Sequence, residues 1–267
     1  MGAERVTRGG WDGRAAQYDQ PPHVRHAGLL EWTARTALAG SVGPAVFDLG
    51  CGTGALTRAL SATHRAQPGG SVHGLDGSTE MLAIADKMGG GVDYSRADCS
   101  RLDDFNPQPF ADVLAARLLL RHLPNPTCVV RDWVDHLRLG GRLVIAEGPP
   151  PVDDPSHPAF TLYCDAMRLK HGAPKGTLTA GGIVGAMLAA GLEPVAAHQR
   201  WTHGNSIRTW CEAGNCDAET TERVLRLHRE ASAAAKIAYQ MVVTDDDVIC
   251  RWRHIVVTGE RGPRLSR

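Results

Sequence analysis

Apolar runs and helix-spaced stretches alternate along the first half of the chain. The runs near 45–49, 71–75, 92–96, 111–116 and 141–147 are short, rich in apolar residues and set off by glycine or polar turns, so they read as strands. Between them apolar residues recur at helical spacing. Such alternation predicts an α/β fold with a mostly parallel sheet, right-handed crossovers and helices on both faces. The run ending in Ala115-Ala116 is apolar on both faces, as a buried central strand is. Ligands of such sheets bind beyond the carboxyl ends of the strands.

Before the first strand, Trp11 to Asp19 reads as a short helix stopped by Pro21-Pro22, and His23 to Ala39 as a second helix carrying Leu29, Leu30, Trp32 and Ala37. After Glu147 the pattern changes. A stiff proline-rich turn runs from Gly148 to Pro155. Phe160 to Lys170 is then predicted helical, with Phe160, Tyr163, Cys164, Met167 and Arg168 available to a pocket, and 172–175 breaks it. A helix over Thr179 to Ala190 ends at Gly191. A strand at Pro194 to His198, one long helical stretch from Ala218 to Tyr239 and a strand from Val248 to Thr258 complete the pattern. The expected division is a disordered N-terminus (1–10), N-terminal helices forming a lid (11–40), a ligand-binding core (41–147), a cap insertion (148–178), and the C-terminal part of the core with a helical insertion (179–261).

The most specific chemistry follows the first strand. Val46 to Gly54 reads Val-Phe-Asp-Leu-Gly-Cys-Gly-Thr-Gly, with Gly50, Gly52 and Gly54 at alternate positions. Glycine lets a backbone turn sharply and approach a ligand closely, and the helix that follows begins with free N–H groups. A second strand ends in Asp76, twenty-two residues after Gly54. That offset is close to the roughly 20 residues at which an acid reaches ribose hydroxyls in nucleotide-binding βαβ units. A plain helix-capping Asp76 is the alternative. The glycine spacing departs from the dinucleotide pattern, and Asp48 would repel a pyrophosphate but attract an amine. The loop therefore suits a nucleoside joined to an amino acid.

Asp48-Leu-Gly-Cys-Gly-Thr-Gly54 resembles the first motif of class I S-adenosylmethionine-dependent methyltransferases. Leu75 to Leu82, Arg96 to Cys99, Phe110 to Pro124 and Leu137 to Ile145 resemble the later motifs in order, and the nearest likeness is to ubiquinone/menaquinone-type and natural-product small-molecule enzymes. The likeness is good over about residues 11–147 and loose beyond. It implies a Rossmann-like sheet of seven strands, the last antiparallel between the fifth and sixth, with a helical cap over the active site. It implies S-adenosyl-L-methionine as cofactor. Gly50 and Gly52 would present backbone to its methionine part, with Asp48 near the ammonium. Asp76 would bind the ribose, Met81 would pack on the adenine, Asp98 would accept from the adenine amino group, and Cys99 would offer its backbone N–H. Ala116 or Arg117 would meet the methionine amine by backbone, and Tyr18 resembles the tyrosine that covers the cofactor. For Met81, Cys99 and Tyr18, ordinary core packing is the competing explanation.

Candidate catalytic residues lie on the pocket side. Arg25 is a candidate for the cofactor carboxylate, His23 and His26 for a base, and Glu147 for a base or a partner of a substrate amine. Where many relatives carry two histidines this chain has Arg121-His122, and arginine cannot act as a base. Arg117 lies four residues before Arg121, so on a short helix the two would share a face and hold an acidic substrate.

Composition narrows the partners. The 267 residues carry 29 Lys+Arg and 29 Asp+Glu, a net charge of zero, so no basic excess points to nucleic acid or an anionic membrane. The motifs of adenine- and cytosine-methylating enzymes are absent after the fourth strand, which leaves a small-molecule substrate. Secondary metabolism follows by analogy with the relatives. No long apolar run suggests a membrane span, and the N-terminal residues do not resemble a signal peptide. Seven scattered cysteines without a CxxC pair argue against a structural metal and for a reducing, cytoplasmic setting. Asp245-Asp246-Asp247 reads as a solvated turn. A homo-oligomer is compatible with the sequence, and the accepting atom is left open between carbon, nitrogen and oxygen. Two alternatives stand beside a methyltransferase: an enzyme of the same fold doing other chemistry with the bound cofactor, and a non-catalytic cofactor-binding protein.

Overall fold

One sheet positions everything else in the computed structural model, which describes residues 11, 13, 15–19, 24–40, 43, 45–64, 70–172 and 178–263. Helix α1 (Ala27–Ala37) leads into β1 (Ala45–Leu49), α2 (Ala55–His64), β2 (Ser71–Asp76), α3 (Thr79–Lys87), β3 (Asp93–Arg96), β4 (Ala111–Arg117), α4 (Pro126–His136) and β5 (Leu137–Glu147). The chain continues through α5 (Pro158–His171), α6 (Ala180–Ala189), β6 (Leu192–Ser206), α7 (Ile207–Ala213), α8 (Ala218–Arg229), α9 (Ala233–Tyr239), β7 (Val242–Val243) and β8 (Val248–Arg261). The spatial order is β3-β2-β1-β4-β5-β8-β6, with β7 added to β8. Strands β1 to β5 pair in parallel, and β8 runs antiparallel between β5 and β6. The sheet therefore has eight strands rather than the seven expected. The extra strand is a two-residue pairing of Val242–Val243 with Val248–Ile249, too short to leave an alternating pattern in the sequence.

Alternate residues of the strands feed two cores. On one face Leu49, Leu75, Leu114 and Ile145 pack with Trp133 of α4 and with Ile183 and Met187 of α6. On the other, Val46, Val113, Val144 and Val256 meet Ala34 and Ala37 of α1 and Leu56 and Leu60 of α2. A third cluster joins Leu162 and Ala166 of α5 to Ile207 of α7, Val224 and Leu225 of α8 and Tyr239 of α9, and so builds the cap. The strand order reverses between β1 and β4, which opens a crevice at their carboxyl ends.

Several boundaries differ from the sequence reading. Among the described residues of the N-terminal segment, Trp11 is helical and Ala15–Gln17 forms a turn of the 3-10 type. Helix α1 starts after His26, whose Nδ1 accepts from the Leu29 amide at 3.3 Å. The stretch 218–239 is two helices, because Ser232 caps a new one by accepting from the Ala235 amide. Strand β6 covers fifteen residues, and α7 follows it, capped by Ser206. The run at 245–247 does more than turn: the Asp247 carboxylate accepts from the amides of Arg208 and Val248 and from the Ser206 hydroxyl. Residues 1–10 lie outside the described residues.

Trp133 is fully buried and its Nε1–H donates to the Cys99 carbonyl at 2.7 Å. Trp133→Phe would keep most of the volume and orphan that carbonyl, so urea unfolding should show a loss of about 1–3 kcal/mol. An unchanged midpoint would contradict the role given to this bond.

Candidate active site

The loop after β1 turns on three left-handed glycines, Gly50 (φ 61°), Gly52 (φ 54°) and Gly54 (φ 77°). A Cβ on Gly50 would fall 2.6 Å from a Leu119 methyl, and one on Gly52 would project 3.5 Å from the Tyr18 ring and 3.9 Å from the Met81 sulfur. The backbone at Gly52 is thus bare between a phenol and a thioether. Its amide donates to Asp76 Oδ2 at 2.8 Å, while Asp76 Oδ1 accepts from the Ser78 amide at 2.8 Å. Cys99 is buried and its Sγ accepts from the Gly50 amide at 3.3 Å. Asp98 is exposed, and its Oδ1 accepts from the amide and hydroxyl of Ser100 at 2.9 and 2.7 Å. Bare glycine backbone, an acid at the end of β2 and the buried Met81 side chain fit a sulfur nucleoside such as S-adenosyl-L-methionine.

Asp48 is 1% exposed and accepts from the Thr57 hydroxyl at 2.7 Å. Burial pushes its carboxyl up to about 7, against the pull of Thr57 and Arg117. A cation brought to this site would favour the ionised form.

The N-terminal segment crosses the crevice. Tyr18 stands edge-on to Trp11 at 6.2 Å, and Trp11 stands edge-on to His122 at 4.8 Å. Asp19 accepts from the Thr53 hydroxyl at 2.7 Å and pairs with Arg25 at 3.3 Å. Arg25, expected at the cofactor carboxylate, instead pairs with Asp19 while half exposed, and Asp19 in turn joins the N-terminal segment to the glycine loop. His23 lies outside the described residues.

At the end of β4 the helical pairing expected of Arg117 and Arg121 is not found. Arg117 is the last strand residue, Leu118 turns the chain at φ 56°, and Arg121 sits on a single 3-10 turn, Leu120–His122. Arg121 Nε donates to Glu147 Oε2 at 2.8 Å and a second guanidinium nitrogen makes a short contact with the same oxygen. That second nitrogen, Nη2, also donates to the Gly148 carbonyl at 3.2 Å, and Nη1 donates to the Tyr163 hydroxyl at 3.0 Å. Glu147 Oε1 accepts from the Leu120 amide at 3.0 Å. Burial is the largest influence and works against the Arg121 charge, but Glu147 and Tyr163 together outweigh it and the net shift is upward. Glu147 is therefore a structural partner of Arg121 rather than a group placed to take a proton, and the Arg121 charge is neutralised before any substrate arrives.

Beside this pair opens a cleft of about 650 Å³, part of it shared with solvent. Its walls are Tyr163 and Met167 of α5, Trp210 of α7, His228 of α8, Tyr239 of α9, and Trp252 to His254 of β8, over a floor of Leu118, Arg121 and Gly148. Of the α5 residues expected to face a pocket, Tyr163 and Met167 do; Arg168 turns to Asp165 at 2.6 Å. A smaller hollow under α1 shares Leu118 and His254 and adds Arg117, Trp32 and Glu147. Burial lowers the pKa of Arg117. His228 Nδ1–H donates to the Val224 carbonyl at 2.8 Å, and burial lowers the pKa of the ring, which favours its neutral form. His254 is held down further, to about 3, by burial and then by Arg117, His26 and Arg121. The sequence reading missed Trp210, His228, Tyr239, Trp252 and His254. The cluster Trp252-Arg253-His254 at the start of the final strand is the local signal that could have pointed to them.

The raised Asp48 carboxyl makes a signed prediction. Its ordinary value is near 3.8, so between that and about 7 folding takes up a proton. Stability from the neutral form is present at low pH and is lost as pH rises through 7. Asp48→Asn should therefore melt higher than wild type without cofactor at about pH 8, and the difference should shrink at about pH 5. Parallel melting curves at both pH values would contradict the assigned ionisation.

Residues 47–145 match the family described as a methyltransferase domain. The chain is 31% identical over 245 residues to trans-aconitate 2-methyltransferase of Methylobacterium nodulans, covering 84% of this chain and 90% of that protein. It is 37% identical over 114 residues to trans-aconitate 2-methyltransferase of Mycobacterium tuberculosis, but that match spans 43% of this chain and only 40% of the relative. Among solved structures it resembles the YcgJ protein of Bacillus subtilis, with a TM-score of 0.74 and 17% identity over 89% of this chain and all of that one. No helix among the described residues is long and apolar enough to cross a membrane. With the glycine loop, the Asp76 carboxylate and the strand order already in place, this similarity shows that the chain belongs to the class I S-adenosyl-L-methionine-dependent methyltransferase family.

Proposed function

We propose that this methyltransferase acts on a small, largely apolar acceptor that carries an acidic group, as a step of secondary metabolism. The observation that carries the reading is the cleft beside the strand ends, walled by Tyr163, Trp210, Tyr239 and Trp252. Aromatic walls favour a flat apolar body, and a cleft enclosed by the cap has no room for a nucleic-acid duplex. The neighbouring Arg117 supplies positive charge where an acidic group would sit. The name of the Methylobacterium relative, an enzyme of an unsaturated tricarboxylic acid, is in keeping with an acidic acceptor.

S-adenosyl-L-methionine, when bound, supplies a methyl group activated on a sulfonium. The residues that would hold it are Asp76 at the ribose, the Gly50 and Gly52 backbone at the methionine part, Asp48 near the ammonium, Met81, Asp98 and the Cys99 amide at the adenine, and the Arg117 backbone at the amine. Tyr18 closes the crevice from above. The protein's own contribution is then alignment and exclusion of water, a contribution that reaches roughly 7–11 kcal/mol in well-oriented systems.

Labelled methyl transfer to a panel of small aromatic acids, their methyl esters and duplex DNA tests the reading. Acids should be methylated, and esters and DNA should not. Trp252→Ala should raise KM for an active acid roughly tenfold while leaving cofactor affinity unchanged, because it removes a wall of the cleft. Transfer to DNA, or to esters in preference to acids, would contradict the proposal.

A further inference from the structure

Two side chains on the cap wall of the acceptor cleft each leave a polar atom open to it. His228 is the first. Its Nδ1 lies 2.8 Å from the Val224 carbonyl, one turn back on α8. A carbonyl oxygen only accepts, so the helix backbone itself fixes a proton on that nitrogen. Burial favours the neutral ring, so Nε2 carries a lone pair and no proton. The two nitrogens of an imidazole point in nearly opposite directions, and Nε2 therefore turns away from the backbone of α8. Tyr239 of α9 is the second. Its ring stands edge-on to that of His228 at 6.4 Å. Burial lifts its phenol well above the ordinary value, so the hydroxyl keeps its proton.

Both side chains are buried, at 3% and 5% exposed, and both line the cleft. Neither His228 Nε2 nor the Tyr239 hydroxyl has a hydrogen-bond partner among the described residues, yet neither is sealed in. The sealed polar side-chain atoms without a partner among those residues are His64 Nδ1 and Tyr94 Oη, which belong to α2 and β3. Tyr163 on the same cleft is a contrast: its hydroxyl accepts from Arg121 and donates to the Gly148 carbonyl. A polar atom without a partner in an apolar setting costs stability, so two on one wall point to a ligand group that completes them. Nε2 only accepts, and it turns away a carboxylate, whose oxygens also only accept. The Tyr239 hydroxyl both donates and accepts. A hydroxyl group is the chemistry that meets both, giving its proton to Nε2 and taking that of Tyr239 on its oxygen.

We propose that the cap wall holds a hydroxyl group of the acceptor, which donates to His228 Nε2 and accepts from Tyr239. This rests on the reading of the cleft as the acceptor site and narrows it: the acceptor is a hydroxylated acid, with its hydroxyl against α8 and α9 and its acidic group away from them. His228 and Tyr239 are then binding and specificity residues, which select the acceptor by its hydroxyl and orient it between the aromatic walls. Both belong to the cluster that builds the cap, so the preference is a property of the cap rather than of the cofactor crevice.

The test uses protein saturated with S-adenosylhomocysteine and two pairs of probes. These are meta- and para-hydroxybenzoate, each beside the fluorobenzoate of the same pattern, which is of similar size and has no proton to give. Calorimetry should show at least one hydroxybenzoate bound roughly tenfold or more tightly than its fluoro counterpart, because an analogue without the hydroxyl leaves the polar atoms of the site unpaired. His228→Leu should abolish that preference. His228→Gln, whose side-chain carbonyl returns an acceptor near the position of Nε2, should retain most of it, and S-adenosylhomocysteine affinity should be unchanged in both. Tyr239→Phe should weaken hydroxybenzoate binding without lowering the melting temperature, since the hydroxyl it removes has no partner among the described residues. Nitrogen NMR of histidine-labelled wild type should show neutral His228 with its proton on Nδ1, and an Nε2 resonance that moves with hydroxybenzoate but not with fluorobenzoate. Equal affinity within both pairs, or a proton on Nε2, would overturn the proposal and leave the acceptor cleft standing. Binding of none of the four probes would remove the acceptor cleft, and the proposal with it.

Discussion

The bond from the Gly52 amide to the Asp76 carboxylate ties the loop after β1 to the end of β2. A hydrogen bond to an ionised group is worth about 1.5–3 kcal/mol, more than a neutral one. Here it also fixes geometry. Gly52 in its left-handed conformation leaves backbone bare toward Tyr18 and Met81, and the same carboxylate fastens the start of α3 through the Ser78 amide. Cys99 reaches back to the Gly50 amide, so the ends of β1, β2 and β3 are joined at one point. The crevice is held open by bonds across three strands rather than by any single loop.

A second constraint separates the cofactor side from the acceptor side. Arg121 and Glu147 lie twenty-six residues apart and meet beneath the cap, with Tyr163 and the Gly148 carbonyl completing the network. A buried pair of this kind removes two candidate catalytic groups from the chemistry, because breaking it would leave an uncompensated charge. It also anchors α5 of the cap to the ends of β4 and β5. The acceptor cleft is then left with aromatic walls, two neutral imidazoles and the positive field of Arg117. Binding and alignment, rather than proton transfer by a charged side chain, are what this arrangement is built to supply.

How much of this the sequence carries depends on how local each feature is. The strand–glycine-loop–helix unit at 46–60 and Asp76 after β2 are legible because strand, turn and cap signals lie within a few residues of one another. Leu192–Ser206 was underestimated because β6 is a sheet edge, where polar His198, Gln199 and Arg200 are tolerated and hide the strand pattern. The break between α8 and α9 rests on one serine cap that charge-rich helical spacing masks. The roles of Arg121 and Glu147 could not be read, because a salt bridge between distant positions leaves no spacing pattern. The same holds for His254, whose partner Thr202 is fifty-two residues away.

On this reading a glycine-lined crevice anchored by the Asp76 carboxylate holds S-adenosyl-L-methionine. Titration calorimetry of that cofactor against wild type and Asp76→Ala tests it most directly. Wild type should bind one equivalent per chain, and the variant should bind at least roughly tenfold more weakly, since it loses both the ribose contact and the Gly52 tether. No heat with the intact protein, or equal affinity in the variant, would contradict the account.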